Sequence, residues 1–237
     1  MILKDITLPT PEENILYDEV LLSLAEQGAQ GEVLRFWESS RMFIVLGRIG
    51  KIEEDVFEEV ARKDGVPILR RFSGGGTVIQ GPGCLNYTLV LKKDRHPQLA
   101  DLHKSYEYIF SRVVAALRTI GVEAEYKPIS DLVLKASQKK FSGNAQHRGK
   151  NYILHHGTFL CGFGLPLVER YLKIPREMPE YRQSRSHREF VINLNISPAM
   201  VREPLIKEFS ITSRGPILTP AEAELLQSFR KEKSVRL

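Results

Sequence analysis

Apolar residues recur along the chain with two spacings, one typical of helices and one typical of strands. In residues 11–28 they fall every three or four positions, glutamates stand near the start and Gly28 follows, so an amphipathic helix is predicted. Comparable patterns predict helices at residues 51–65, 100–122, 165–174 and 219–233, the last with a Thr-Pro start. Runs rich in β-branched and aromatic residues predict strands. These are residues 32–39, 42–47, 66–73, 83–93, 124–128, 130–136 and 151–161, with a tight hairpin around Lys140.

The order of these elements predicts the fold class. Strands follow one another partly as hairpins and are partly separated by helices, which favours a mixed, largely antiparallel β-sheet flanked by helices, an α/β fold of the α+β kind. A doubly wound nucleotide-binding fold is not favoured. The 237 residues suit one large domain, or one domain with a small appendage.

The composition limits which cellular compartment and which kinds of partner are expected for this protein. There are two cysteines, Cys84 and Cys161, which are too few for a disulfide framework, and the N-terminal residues do not resemble a signal peptide. No apolar run is long enough to cross a bilayer. We therefore expect a cytoplasmic protein, or one of an organelle matrix in a eukaryote. The net charge of +5 is spread along the chain, which suits an anionic nucleotide or an acidic protein better than a nucleic acid.

The first stretch that suggests chemistry is "RRFSGGGTVIQGPG", residues 70–83. Three adjacent glycines let the backbone approach a ligand and present consecutive N–H donors, which favours an anion. Arg70 and Arg71 stand at the mouth of this loop, where they could pair with phosphate or carboxylate. The spacing is not that of a P-loop, because no Gly-Lys-Ser/Thr follows. The alternative is a plain hairpin with surface arginines.

The second stretch is "KKFSGNAQHRGKNYILHHGTFL", residues 139–160. Like the first, it begins with two cationic residues followed by Phe-Ser-Gly. Lys140 on such a turn could reach a carbonyl and an adjacent phosphate, and so stabilise charge that grows during acyl transfer. A solvated basic hairpin is the alternative. His155 and His156 should point to opposite faces of a strand, with one facing the site. The sequence has no Cys, His or carboxylate cluster at the spacing of a metal site.

A third stretch, "EYRQSRSHREF" at residues 180–190, is rich in cations. It contains Arg182, Arg185, His187 and Arg188. The sequence leaves three interpretations open: a solvated loop, a wall of the active site, or a contact with a partner.

The two glycine-containing stretches and the helix start "NILYDEVLL" resemble the catalytic domain of lipoate–protein ligases, in the superfamily that includes biotin ligases and octanoyltransferases. The resemblance runs from about residue 14 to residue 195. It implies a biotin/lipoate ligase catalytic domain in residues 1–195. Residues 196–237 are then expected to form a short helical extension packed on it, without the separate C-terminal accessory domain that other members carry.

The resemblance implies an enzyme with a two-step reaction. The carboxylate of lipoate or octanoate attacks the ATP α-phosphate to give an acyl-adenylate, and the acyl group then moves to a lysine of an acceptor domain. Lys140 would be the catalytic residue, and Mg²⁺ would accompany ATP, with Asp131 as its candidate ligand. The residues implied to bind ATP or the acyl-adenylate are Arg71, Ser73, Gly74, Gly75, Gly76, Thr77, Val78, Ile79, Asn86, Lys140, Ser142, Gly143, His156 and Gly157.

The implied partner is an acidic lipoyl acceptor domain, of the 2-oxoacid dehydrogenase E2 or glycine cleavage H protein type. The missing accessory domain also allows for a separate accessory-domain protein, whereas no nucleic acid or membrane is implied. Two features depart from the ligase pattern. Ser130-Asp131 stands where ligases commonly carry Asn-Asp, and Gly-Pro-Gly at residues 81–83 looks more like the octanoyltransferase branch.

Three other functions stay open. A cysteine-dependent octanoyl- or lipoyltransferase needs a thiolate near the lysine, and only Cys84 and Cys161 are available. A biotin ligase would be expected to have more arginine between the loop glycines. A homologue that binds lipoyl groups without turnover is the last alternative, and the presence of Lys140 and Arg71 speaks against it.

Overall fold

The computed structural model describes residues 1–233, so residues 234–237 of the expected C-terminal extension lie outside the described residues. The helices are α1 Pro11–Glu26, α2 Ile52–Asp55, α3 Glu58–Lys63, α4 Leu102–Arg118, α5 Pro166–Tyr171, α6 His187–Phe190, α7 Pro198–Glu208 and α8 Pro220–Glu232. The strands are β1 Ile2–Asp5, β2 Val33–Trp37, β3 Phe43–Leu46, β4 Ile68–Arg70, β5 Val78–Gln80, β6 Cys84–Lys92, β7 Ala124–Lys127, β8 Asp131–Leu134, β9 Lys140–Arg148, β10 Tyr152–Leu160 and β11 Ser213–Arg214.

The larger sheet has the strand order β11-β1-β2-β6-β10-β9-β8-β7 within the described chain. Strand β1 pairs in parallel with β11 and β2, and every other neighbouring pair in this sheet is antiparallel. The prediction of a mixed, largely antiparallel sheet flanked by helices is confirmed. The long strands β6, β9 and β10 form its centre, which places their side chains at the deepest part of the fold.

A second, smaller sheet was not expected from the sequence. It has the order β4-β3-β5, with β4 parallel and β5 antiparallel to β3. The two strands predicted at residues 32–39 and 42–47 therefore do not pair with each other, because β2 belongs to the larger sheet and β3 to the smaller one. Strand β5 follows the glycine loop directly, so the smaller sheet holds the end of that loop.

Helices cover both faces of the larger sheet. Apolar residues of α4 and α7, such as Ile109, Val113 and Val201, are fully buried in one hydrophobic cluster with residues of the strands. On the other face, α1 and α8 share a cluster that contains Val20 and Leu226. Burial of these apolar faces is the main favourable contribution to the fold. Among the described residues, no helix is both long and apolar enough to cross a membrane.

Helix boundaries follow the capping signals. Thr10 accepts from the backbone N–H of Glu13 in a capping box at the start of α1, and Thr219 does the same before Pro220 in α8. The predicted single helix at residues 51–65 is wrong, because extended backbone at Val56 separates α2 from α3. Val56 is buried and forms a β-bridge with Leu172, so tertiary pairing at this point replaces a continuous helix.

Candidate active site

One cavity of about 820 Å³ is lined by residues of both sheets and by the segment 172–191. Of the residues that the resemblance assigned to ligand binding or catalysis, the cavity wall contains Arg71, Gly76, Thr77, Val78, Ile79, Asn86, Asp131, Lys140, Ser142, Gly143, His156 and Gly157. Ser73, Gly74 and Gly75 are not part of this wall. The two sequence-remote stretches therefore border the same space, although their exact roles stay predictions.

Lys140 is the first residue of β9, immediately after the turn from β8. Its Nζ lies 2.7 Å from Oδ1 of Asp131, the first residue of β8. The lysine side chain crosses Gly143 so closely that a Cβ there would lie 2.9 Å from both Cε and Nζ. Tyr181 donates its hydroxyl to the other oxygen of Asp131 at 2.6 Å. Burial and the nearby Asp131 raise the pKa of the Tyr181 phenol above its ordinary value, which keeps it a donor.

These contacts bear on the proposed magnesium ligand. Both oxygens of Asp131 are engaged, one by Lys140 and one by Tyr181. Within residues 1–233 no group of three or more His, Cys, Asp or Glu residues could hold a metal ion. Asp131 is therefore not part of a cluster of metal ligands within the described residues. Asp131 as a magnesium ligand stays a prediction.

The Arg71 side chain binds backbone oxygens of the glycine loop. Its Nη2 donates to the carbonyl oxygens of Gly74 and Gly76 at 2.7 and 2.8 Å, and its Nε lies 3.1 Å from Ser73 Oγ. Burial lowers the pKa of Arg71 to about 10, so the guanidinium is still charged at neutral pH. In this arrangement most of its donors hold the loop's own oxygens, and direct pairing with phosphate stays a prediction.

The glycine loop is packed against its neighbours on two sides. A Cβ at Gly47 would lie 2.0 Å from the carbonyl oxygen of Gly75, and Gly75 itself has a φ of +85°. On the other side, a Cβ at Gly75 would lie 3.4 Å from that of Ala145 in β9. The loop and β9 therefore meet at Gly75. Among the described residues, no hydrogen bond joins Lys140 directly to residues 73–79.

A chain of hydrogen bonds runs from helix α1 to the loop. His156 Nδ1 lies 2.9 Å from Asp18 Oδ2, and its Nε2 lies 2.7 Å from Ser73 Oγ. Asp18 Oδ1 accepts from Arg35 at 2.7 Å and from Thr88 at 2.9 Å. Burial opposes ionisation of Asp18, but Arg35 and His156 outweigh it and hold the pKa of this carboxyl below its usual value.

The sequence did not identify Asp18 as a site residue. A carboxylate on an amphipathic helix normally faces water, whereas Asp18 is 3% exposed. The signal that could have found it is its position in "NILYDEVLL", where Leu16, Tyr17, Val20 and Leu21 leave little polar face around it.

His155 points away from the cavity, as the alternation along β10 predicted. It is fully buried, 2.9 Å from the Tyr87 hydroxyl, with Tyr106 and Phe110 around its ring. Burial lowers the pKa of His155 to about 3. His155 is therefore a neutral residue of the core, and His156 is the one that faces the site.

A second polar group lies in the cavity wall. Gln80 donates to Thr158 Oγ1 at 2.6 Å, and Thr158 donates to Asn86 Oδ1 at 2.6 Å. Gln80 Oε1 and Asn86 Nδ2 are buried and have no hydrogen-bond partner among the described residues. One acceptor and one donor are thus left for a polar ligand.

Part of the cationic stretch at residues 180–190 forms a wall of the cavity, whereas Arg188 is exposed and lies outside that wall. Tyr181, Arg182, His187 and Phe190 contribute to the lining. Arg182 is 3% exposed and its guanidinium stacks 4.6 Å from the ring centre of Phe190. Such stacking helps to hold the segment between Arg182 and helix α6 in place.

The two cysteines lie outside the cavity wall, at one end of β6 and just after β10. Both are buried. Burial raises the pKa of the Cys84 thiol to about 12 and that of Cys161 to about 11. Neither is a thiolate at neutral pH, so neither fits the nucleophile of a thiol-dependent transferase.

The model of the lipoyl protein ligase A/B catalytic domain matches residues 10–210. The chain belongs to this family. It is 28% identical over 220 residues to the probable lipoate-protein ligase A of Mycoplasma pneumoniae, covering 91% of this chain and 63% of that protein. It therefore spans less than two thirds of that relative. The octanoyltransferase LipM of Macrococcus caseolyticus is 27% identical, over 94% of this chain and 93% of its own length.

Two solved structures of family members superpose on almost the whole chain. A lipoate-protein ligase A bound with ATP has a TM-score of 0.83 and 27% identity, covering 98% of this chain and 94% of its own. A bipartite lipoate protein ligase from Thermoplasma acidophilum, described with its E2 lipoyl domain, has a TM-score of 0.83 and 26% identity, covering 98% of this chain and 92% of its own. The predicted catalytic-domain fold is confirmed.

Proposed function

We propose that this chain activates lipoate, or octanoate, with ATP and transfers the acyl group to a lysine of an acceptor protein. The observation that carries the proposal is that Lys140 and the loop residues Gly76–Ile79 border one cavity. The ATP-bound relative and the family membership support a nucleotide as the second substrate. The orphan donor and acceptor of Asn86 and Gln80 would then contact a polar part of the ligand.

Activation requires an oxygen of the acyl carboxylate to form a bond with the α-phosphorus while the bond to pyrophosphate breaks. Negative charge accumulates on the phosphate oxygens, and the Lys140 ammonium would stabilise it. Asp131 holds this ammonium in position until a ligand competes for it. The tightly packed loop would present backbone N–H groups of residues 76–79 to the nucleotide.

Transfer requires the acceptor amine nitrogen to form a bond with the acyl carbon while the bond to AMP breaks and the nitrogen loses a proton. Lys140 would hydrogen-bond the acyl carbonyl oxygen, where charge develops in this step. The mildly basic chain suits an acidic acceptor domain of the E2 or H-protein type. The E2 lipoyl domain described with the Thermoplasma ligase supports this class of acceptor.

Three finer points belong to the proposal. Mg²⁺ would bind mainly through the nucleotide phosphates, with Asp131 as its candidate protein ligand. Residues 1–195 would form the catalytic domain and residues 196–237 an extension packed on it. A separate accessory protein would assist, by analogy with the bipartite Thermoplasma ligase. We further propose a cytoplasmic location.

Incubation with ATP, Mg²⁺ and lipoate, followed by mass spectrometry, tests the proposal. We expect lipoyl-adenylate and pyrophosphate from the natural chain, and a loss of about 100- to 1000-fold in the Lys140→Ala variant. Lys139→Ala, which changes the neighbouring lysine outside the cavity wall, is the matched control. If the chain forms no adenylate but transfers the acyl group of added lipoyl-adenylate, activation needs a partner protein. If neither occurs, the proposal is wrong.

A further inference from the structure

With a neutral imidazole at His156, the contacts between Asp18, His156 and Ser73 permit one consistent placement of their hydrogens. An ionised carboxylate can only accept, so His156 Nδ1 must carry the proton that binds Asp18 Oδ2. In the neutral ring, Nε2 is then an acceptor, and the Ser73 hydroxyl donates to it at 2.7 Å. The lone pairs of Ser73 Oγ remain free to accept from Arg71 Nε at 3.1 Å.

Both ends of this series of hydrogen bonds are also held by further residues. Asp18 Oδ1 is taken by Arg35 and Thr88, which leaves Oδ2 for the imidazole. At the other end, Arg71 holds the carbonyl oxygens of Gly74 and Gly76. A carboxylate on α1 is thus linked, through one imidazole and one hydroxyl, to the guanidinium that binds the loop carbonyls.

The same three residue types form the nucleophilic triads of hydrolases, but burial argues against that role here. Ser73 is fully buried and does not belong to the cavity wall. Its oxygen already accepts from a guanidinium, which lowers its nucleophilicity. The arrangement is therefore suited to position a loop and not to attack a substrate.

We propose that Asp18 is a positioning residue: by fixing the Nδ1–H tautomer of His156 it orients Ser73 and Arg71 and so holds residues 74–76 in the geometry that receives the ligand. The role in catalysis rests on the proposed function. The tautomer and the stiffness of the loop do not, and they can be measured in the protein without substrates.

Asp18→Asn is the decisive variant because it keeps the shape and reverses one hydrogen bond. The amide oxygen keeps the bonds from Arg35 and Thr88, since turning it would oppose two sets of donors. The amide nitrogen then donates to His156 Nδ1, which forces the proton to Nε2. That proton points at Ser73 Oγ, where Arg71 already donates, and the serine hydroxyl loses its acceptor.

Nitrogen-15 NMR of histidine-labelled protein reads the tautomer directly, with His156→Gln used to assign the signal. We expect the Nδ1–H form in the natural chain and the Nε2–H form in Asp18→Asn. Amide hydrogen exchange of residues 74–76 should become about tenfold faster, and the KM for ATP in adenylate formation should rise about tenfold with a smaller change in kcat.

Glu222→Gln is the matched control, because it also converts a buried, ion-paired carboxylate into an amide and Glu222 does not belong to the cavity wall. It should lower the melting temperature without changing the His156 tautomer, the loop exchange or the KM. Ser73→Ala should raise the KM about tenfold, and adding it to Asp18→Asn should cause little further rise, because both remove the same link.

An unchanged tautomer and loop exchange in Asp18→Asn would overturn the inference, as would a double variant whose effects multiply to about 100-fold. If the natural chain forms no adenylate, the proposed function fails, and the NMR and exchange results still decide the positioning role. A changed His156 tautomer with unchanged hydrogen exchange in residues 74–76 would also refute the positioning role, because it would show that the tautomer does not affect the loop.

Discussion

Lys140 and Asp131 form an ion pair of 2.7 Å across the side of Gly143, where each residue opens one strand of a hairpin. Hairpin geometry brings the two together, so their pairing does not depend on a flexible loop. The lysine is one quarter exposed and the carboxylate is buried, which leaves the ammonium reachable from the cavity.

Asp131→Asn should slow acyl-adenylate formation by about 10- to 100-fold, because the ammonium loses the charged partner that holds it. Single-turnover kinetics with lipoate and ATP measure the effect. Asp64→Asn is a close control, since Asp64 likewise binds one cation and one tyrosine hydroxyl, those of Arg170 and Tyr171, but outside the cavity wall. Equal losses in both variants would contradict the role of Asp131.

Tyr181→Phe should have a milder effect of about three- to tenfold, expressed mainly in KM. The change removes one hydroxyl bond to Asp131 but leaves the bond from Lys140 intact. Steady-state kinetics over a range of ATP concentrations separate KM from kcat, with Tyr171→Phe as the control. A loss as large as that of Asp131→Asn would mean that Tyr181 itself contacts the reacting groups.

Cys84→Ser and Cys161→Ser should each retain ATP-dependent activity within about twofold. Their thiols are buried and protonated, and neither borders the cavity. Stability should fall by about 1–3 kcal/mol, since a hydroxyl replaces a thiol in apolar surroundings, and thermal unfolding measures this. Loss of transfer with an intact fold in either variant would support the thiol mechanism instead.

Lys4→Met should lower the free energy of unfolding by about 3–5 kcal/mol. Lys4 and Glu222 form a buried pair at 2.8 Å, each 1% exposed, and removing one charge leaves the other unpaired. Arg62→Met breaks the exposed pair with Glu58 and should cost less than about 1 kcal/mol. Urea unfolding compares the two variants, and similar costs would show that the buried charge finds another partner.

His155 should make the fold less stable in acid. Its pKa of about 3 lies below the value of about 6.5 for an unfolded chain, so the unfolded state binds one more proton between these pH values. Its contribution is complete above about pH 6.5 and falls by about 1.4 kcal/mol per pH unit as the pH drops toward 3. Urea unfolding of His155→Gln should show a slope smaller by one proton, and an identical slope would contradict the assignment.

The sequence predicted the elements whose signals are local. Helices α1, α4 and α8 have capping residues and apolar periodicity, and the structure has them where the pattern placed them. The alternation along β10 also separated His155 from His156. These features depend on a few neighbouring residues, so tertiary contacts reinforce them.

The features that the sequence did not predict depend on contacts between segments that are distant along the chain. The break at Val56 depends on Leu172, and the division into two sheets depends on which strands β3 meets. Asp18 is the clearest example within the site of a residue that the sequence missed. Its place in the site depends on hydrogen bonds with Arg35 and His156, which lie outside its own helix. The apolar neighbours of Asp18 indicate its burial, but they do not identify these two partners.

The position of β1 between β2 and β11 has a consequence for how the protein is made. The first strand pairs with Ser213 and Arg214, and Lys4 needs Glu222 to neutralise it. During synthesis, residues of β1 leave the ribosome before their partners in β11 and α8 have been made. Helix α1 packs against α8 and therefore acquires its full packing only when almost the whole chain has been synthesised.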